Sequence, residues 1–226
     1  MRMVTALGTR QGVELTAAGM CVACAEVLSV AGAAIVLSAG GGVQGATHTS
    51  NAWVEPLEEM QFTLGVGPGA DAYDRSVPVV EADLVTDAPG RWMSFVANAV
   101  DAGVGAVFSF PLQIGAVRMG ALTLYQARAG PLDNDTYADA LVMAEVITRA
   151  VLGMHVGAED GSLGAELSDG EILHAEVHQA SGMVSVQLDI GVGEALARLR
   201  ARAFAEGTTV RLVSIEVVAR RLRFNP

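Results

Sequence analysis

Lysine is missing altogether: all 14 cationic residues among the 226 are arginine. We read this as a bias of base composition, although arginine is also the better residue for forked contacts to phosphate. Aromatic residues are scarce at 5%, so a core must rest on valine, leucine, alanine and methionine. Charged residues reach only 17% against 51% hydrophobic, which excludes a disordered chain. Long apolar runs are also lacking. The longest, residues 27–39, falls short of the ~20 residues a spanning helix needs and dissolves into Gly40-Gly41-Gly42. A second stretch, 102–117, contains Pro111 and Gln113, and Glu14 interrupts any signal-peptide core near the start. These absences predict a cytoplasmic protein without a membrane segment.

What is present is unevenly spread. A length of 226 residues predicts one large or two small domains. The formal net charge of −11 argues against a chain coated in nucleic acid, but it averages over a skew. Residues 1–170 hold seven arginines against 19 acidic residues, and residues 171–226 hold the other seven against six. Such asymmetry fits two modules with different partners.

Apolar spacing predicts the elements. Leu15, Ala18, Val22, Ala25 and Leu28 recur at steps of three and four, as on a helix. Residues 33–37 read as a strand paired with one near 46–50, and 55–62 as a helix ending in the loop Gly65-Val66-Gly67-Pro68-Gly69. A short strand at 77–80 and a helix at 92–100 follow. Residues 106–110 and 117–125 form a hairpin about Gly115. Residues 133–151 form an amphipathic helix through Tyr137, Leu141, Ala144, Ile147 and Val151. Together these predict an α+β domain with a mainly antiparallel sheet flanked by helices. Residues 154–170 are rich in glycine, serine and acids, and predict a flexible linker.

The remainder reads as a small all-α domain of three helices over 171–226. Ser168 and Glu171 have capping-box spacing. Leu173, Val177, Ala180, Val184 and Leu188 share one face. Ala195, Leu196, Leu199 and Ala203 share another, and a third helix runs from the threonines at 208–209 to about Arg221.

At this point two segments resemble known families. Leu57 to Gly69, with its glycine–proline loop, resembles the helix and loop of small bacterial GAF domains. Glu176-Val177-His178-Gln179-Ala180-Ser181-Gly182-Met183, with Glu194-Ala195 and Val217-Val218, resembles an ANTAR domain. The order of the two resembles a GAF–ANTAR transcription antitermination regulator, with a GAF sensor over 1–153 and an ANTAR domain over 171–226. The resemblance implies a small-molecule GAF ligand, no catalytic chemistry, a homodimer, and binding to RNA hairpins of nascent transcripts. In two places the chain departs from the pattern: His174 stands where arginine is usual and Ser181 where lysine is usual, and both changes remove phosphate-binding charge.

Candidate sites follow, each with a plainer alternative. For RNA binding they are Arg198, Arg202, Arg220, Arg221, His178 and Ser181, against an ordinary solvated helix surface. For a GAF ligand they are Trp53, Met60, Phe62, Trp92 and Phe108, against simple core packing. Cys21 and Cys24 read as buried structural thiols, since two cysteines without a nearby histidine do not complete a zinc site. His174 and His178, one turn apart, have a spacing that can hold a metal, but no carboxylate motif accompanies them. The third C-terminal helix carries two apolar stripes, Val210, Val213 and Val217 on one and Leu212, Ile215, Ala219 and Leu222 on the other, and the resemblance implies that Val210, Val213, Ser214 and Val217 lie in the core. Leu212, Ile215 and Leu222 are then expected outward as an interface, the alternative being the reverse. No nucleophile elbow, nucleotide fingerprint or metal triad is present, so an enzyme is not expected. The competing function is a protein–protein interaction module whose helical domain does not bind RNA.

Overall fold

The computed structural model describes residues 16–38, 47–87, 90–156 and 174–225. The expected Leu15, Leu173 and capping box, and nearly all of the expected linker, lie outside them. The first unit comprises α1 (Ala17–Val27), β1 (Gly32–Leu37), β2 (Thr47–Thr49), α2 (Glu55–Leu64), α3 (Pro68–Arg75), β3 (Val79–Glu81), α4 (Met93–Asp101), β4 (Ala106–Ile114), β5 (Val117–Gln126) and α5 (Asn134–Val156). A single 3₁₀ turn, Gly90–Trp92, leads into α4. The five strands form one antiparallel sheet in the order β2-β1-β5-β4-β3. This is the α+β architecture expected from the sequence.

Helices cover both faces of the sheet, and strand alternation decides which residues meet which helices. Ile35, Phe108, Phe110, Leu122 and Leu124 pack against α1 and α5. Ala34, Val107 and Tyr125 point the other way, toward Leu57, Ala72, Trp92 and Phe95 beneath α2, α3 and α4. All six residues of β1 are buried, as befits a strand covered on both faces.

Several expectations need correction. Helix α1 begins under a Thr16 cap whose side chain accepts from Gly19 N–H. It buries Ala17, Met20, Cys21 and Cys24, one step round from the expected stripe, so Ala18 is exposed. Helix α5 runs to Val156, past the expected boundary at 153, and packs through Ala140 and Met143 while Leu141 is 43% exposed. The expected loop is shorter than 65–69, because Pro68 opens α3, its fixed φ suiting the first turn of a helix.

The C-terminal unit comprises α6 (Ala175–Leu188), α7 (Val192–Glu206) and α8 (Val210–Val218). Val177, Ala180, Val184, Ala195, Leu196, Leu199, Ala203, Val210, Val213 and Val217 make its core. Thr209 caps α8 by accepting from Leu212 N–H. That helix ends at Val218, short of Arg221, and Arg220 then takes a left-handed φ of 59°.

Candidate functional site: a buried polar cluster and the junction it supports

Helix α2 is the element on which both candidate sites converge. Toward the sheet it carries Glu58 and Gln61, both buried, a departure from the apolar interior expected of this face. Tyr125 on β5 donates its hydroxyl to Glu58 Oε1 at 2.7 Å. The Gln61 amide donates to the Tyr125 hydroxyl at 2.8 Å and to Glu58 Oε1 at 3.2 Å. Gln61 Oε1 accepts from the backbone N–H of Gly69 at 3.0 Å. Nearby, the hydroxyls of Ser109 and Thr123 pair across β4 and β5 at 2.9 Å. Burial, opposed by the hydrogen bonds from Tyr125 and Gln61, pushes the Glu58 carboxyl up to about 7. It therefore titrates near neutral pH.

The glycine–proline loop exists to fit this helix. At Gly67, which has φ 153°, a Cβ would collide with Gln61 Oε1. At Gly65, φ is 69° and a Cβ would lie 2.7 Å from Arg200 Nη1. Gly65 thus ends α2 in the left-handed conformation that side chains resist and leaves room for an arginine of the C-terminal unit.

The other side of α2 holds that unit. Arg200 donates through Nε to the carbonyl of Phe62 at 3.0 Å, its guanidinium carbon 5.5 Å from the Phe62 ring centroid. Its cation complements the carbonyl end of α2. The His174 imidazole stacks on the same ring. The Val210 N–H, at the start of α8, donates to Thr63 Oγ1 at 3.1 Å. His174 is held down to about 4, chiefly by burial and secondarily by the charges of His178, Arg211 and Arg200, so it is neutral at pH 7.

Not all the expected site residues come together. Trp53, Met60 and Trp92 do share the cluster beneath α2, α3 and α4. Phe108 packs against α1 and α5 on the opposite face, because it lies one residue from Val107 on a strand. Phe62 faces the C-terminal helices. The cysteines are buried free thiols, and burial pushes Cys24 up to about 12. Cys21 donates to His48 O at 3.2 Å.

On the C-terminal unit, Arg198, Arg202, Arg220, Arg221 and His178 are exposed. Ser181 is not: it is buried, and its hydroxyl donates to Val177 O one turn back. His174 precedes α6 instead of sharing an exposed stripe with His178, and it faces Phe62. Among the described residues no three metal-ligating side chains converge. Val210, Val213, Ser214 and Val217 are buried, while Leu212 is 52% exposed. Ile215 is half-buried, and Leu222 packs against the three-helix core instead of facing outward. Among the described residues no helix is long and apolar enough to cross a membrane.

The polar cluster was invisible to apolar periodicity. The signal that was available is Glu58 and Gln61 on the inward face of an amphipathic helix.

No family model matches the chain, and neither does any curated protein. Among solved structures it is similar to the GAF domain of a phosphoenolpyruvate-protein phosphotransferase from Coxiella burnetii. That match has 13% identity, 69% of this chain and 91% of that one covered, and a TM-score of 0.49. It is also similar to the corresponding GAF domain from Acinetobacter (12% identity, 69% and 91% covered, TM-score 0.48). A third similar structure is free methionine-R-sulfoxide reductase from Neisseria meningitidis, solved with its substrate (11% identity, 63% and 79% covered, TM-score 0.46). At these values the likeness assigns this chain no ligand and no reaction.

Proposed function

We propose that the chain is a signal-responsive RNA-binding regulator. In this reading the α+β unit is a GAF-type sensor for a small molecule. The C-terminal helices form an ANTAR-type unit that binds hairpins in nascent transcripts, promotes antitermination and performs no covalent chemistry. The observation that carries the reading is the double duty of α2. Glu58 and Gln61 enter the sensor interior, while Phe62 and Thr63, on the same turns, receive Arg200, His174 and Val210. A ligand that rearranges the Glu58–Gln61–Tyr125 network shifts the helix that seats the output unit, and so biases docked against released states.

Sequencing of cellular RNA that co-purifies with the tagged full chain tests this reading. Enrichment of transcripts with hairpins upstream of terminators is the expected result, and binding should weaken steeply with salt, as phosphate contacts require. Recovery of no specific RNA overturns it. The exposure of Leu212 and Phe204, at 52% and 64%, favours a second reading in which the helical unit pairs with a second copy or another protein.

A further inference from the structure

The contact between the two units is small. Among the described residues, Phe62 is the one member of the α+β unit in the buried cluster of the C-terminal helices. Helix α2 is the element that α7 and α8 chiefly meet. The hydrogen bonds of Arg200 to the Phe62 carbonyl and of Val210 to Thr63 cross beside that ring.

His174 completes this junction from a position that suits only one of its protonation states. It is buried, stacked on Phe62, and its Nδ1 is enclosed with no hydrogen-bond partner among the described residues. A neutral imidazole tolerates that, because its single N–H can sit on Nε2 and leave Nδ1 bare. An imidazolium carries a proton on both nitrogens, so Nδ1 becomes a buried donor with nothing to accept from it.

Each neighbouring element also brings charge to this place. Arg200 comes from α7 and lies over the same ring, and Arg211 comes from α8. Helix α6 brings His178 and Glu176, and Glu176 lies 3.7 Å from Arg211. Helix α2 brings Glu59, whose carboxyl burial pushes up against the pull of Arg211 and Thr63. The acids therefore do not offset the cations: Glu176 is taken up by Arg211, and burial resists a charge on Glu59. The face of Phe62 attracts a cation, but Arg200 already uses that ring.

We infer that the junction is a proton-operated latch: a proton on His174 breaks the stack on Phe62 and releases the C-terminal helices from α2. The latch does not depend on what those helices bind. The docked state excludes a proton that the released state accepts, so acid favours release. Burial above all, and then the charges of His178, Arg211 and Arg200, hold docked His174 at about 4 against an ordinary 6.5. Its contribution to docking is thus fully present above pH 6.5 and is lost as pH falls toward 4. Between pH 7.5 and 5.5 the docking equilibrium should fall about tenfold.

The Val210 amide reports docking, because its hydrogen bond crosses the junction. Its protection from hydrogen exchange, measured by NMR on the full chain and corrected for the intrinsic rate at each pH, should fall about tenfold from pH 7.5 to 5.5. The amides of Ala180 and Leu199, inside the helical core, should stay protected. His174→Phe keeps a ring on Phe62 and cannot take a proton, so its Val210 protection should not fall. Glu58 and Glu59 are present in both proteins, and the difference between the two belongs to His174. Equal losses in wild type and variant, or no loss in the wild type, overturn the latch. Should the variant fail to dock even at pH 7.5, the histidine resonances decide. His174 of the wild type should titrate well below 6.5, and Phe62→Ala, which removes its seat, should return it toward 6.5. A midpoint that Phe62→Ala leaves unchanged overturns the latch.

Discussion

Phe62 and His174 stack with ring centroids 3.5 Å apart and planes within 9° of parallel. One ring belongs to the last turn of α2 and the other to the residue that precedes α6, so this contact joins the two units across 112 positions of sequence. It also explains how a histidine stands where the ANTAR resemblance leads one to expect arginine: buried and neutral, it serves the junction instead of a phosphate.

Phe62→Ala should therefore undock the C-terminal unit without unfolding it. Loss of a buried ring of this kind costs about 3 kcal/mol. Amide hydrogen exchange should rise in the last turn of α2 and around Arg200, while the cores of α6, α7 and α8 stay protected. Unchanged exchange at α2 would show that the ring does not hold the junction.

Glu58 makes stability depend on pH in an unusual direction. Its folded-state carboxyl lies at about 7, above the ordinary value of 4.5, so the folded chain holds a proton that the unfolded chain has released. Its contribution is fully present below pH 4.5 and is lost as pH rises to about 7, amounting to roughly 3 kcal/mol at most. Glu58→Gln keeps an acceptor for Tyr125 and removes the titration. Denaturant melts of the variant between pH 5 and 8 should lack the decline attributable to this group. A decline identical to that of the wild type would remove Glu58 as its source.

Gly65→Ala should weaken the same junction from the loop side. The substitution places a methyl group 2.7 Å from Arg200 Nη1 and strains a residue with φ 69°, at an expected cost of about 1–2 kcal/mol. Limited proteolysis should then cut between the units faster than in the wild type. Arg200 can swing aside, so a cleavage rate equal to that of the wild type would show that its seat on α2 contributes nothing to docking.

Leu212→Glu tests the exposed edge of α8. At 52% exposure the side chain contributes little to the core, and the melting free energy should change by no more than about 0.5 kcal/mol. Sedimentation velocity should show a shift toward monomer where α8 joins two copies. A chain that sediments identically with and without the substitution does not use Leu212 as an interface.

Legibility in the sequence followed the length scale of the physics. The hairpin about Gly115 and the buried set Ala195, Leu196, Leu199 and Ala203 come from local periodicity, the core stripe of α8 comes from the family resemblance, and the structure reproduces them. The expected ligand-pocket set is split, Trp53, Met60 and Trp92 staying together while Phe62 and Phe108 lie elsewhere, because it grouped residues by hydrophobic character. Phe108 and Val107 are adjacent, but a strand sends them to different layers. Glu58 and Gln61 were passed over because an isolated polar residue on a helix is ordinarily solvent-facing. Long-range pairing with Tyr125, 67 residues away, together with the Gln61 amide, makes the inward position of Glu58 tolerable. Ser181, expected on an exposed RNA-facing stripe, lies instead in the core, because its hydroxyl bonds its own helix.

The arrangement on α2 constrains how such a chain can evolve. Positions 58 and 61 determine what the interior tolerates, and positions 62 and 63 receive the C-terminal unit, yet all four share one helix of ten residues. A substitution at 58 or 61 that moves α2 is therefore felt at the junction as a side effect. Compensation is then expected on the far side of the junction, at His174 or Arg200, so that change inside the α+β unit leaves a trace among residues that never touch its polar cluster.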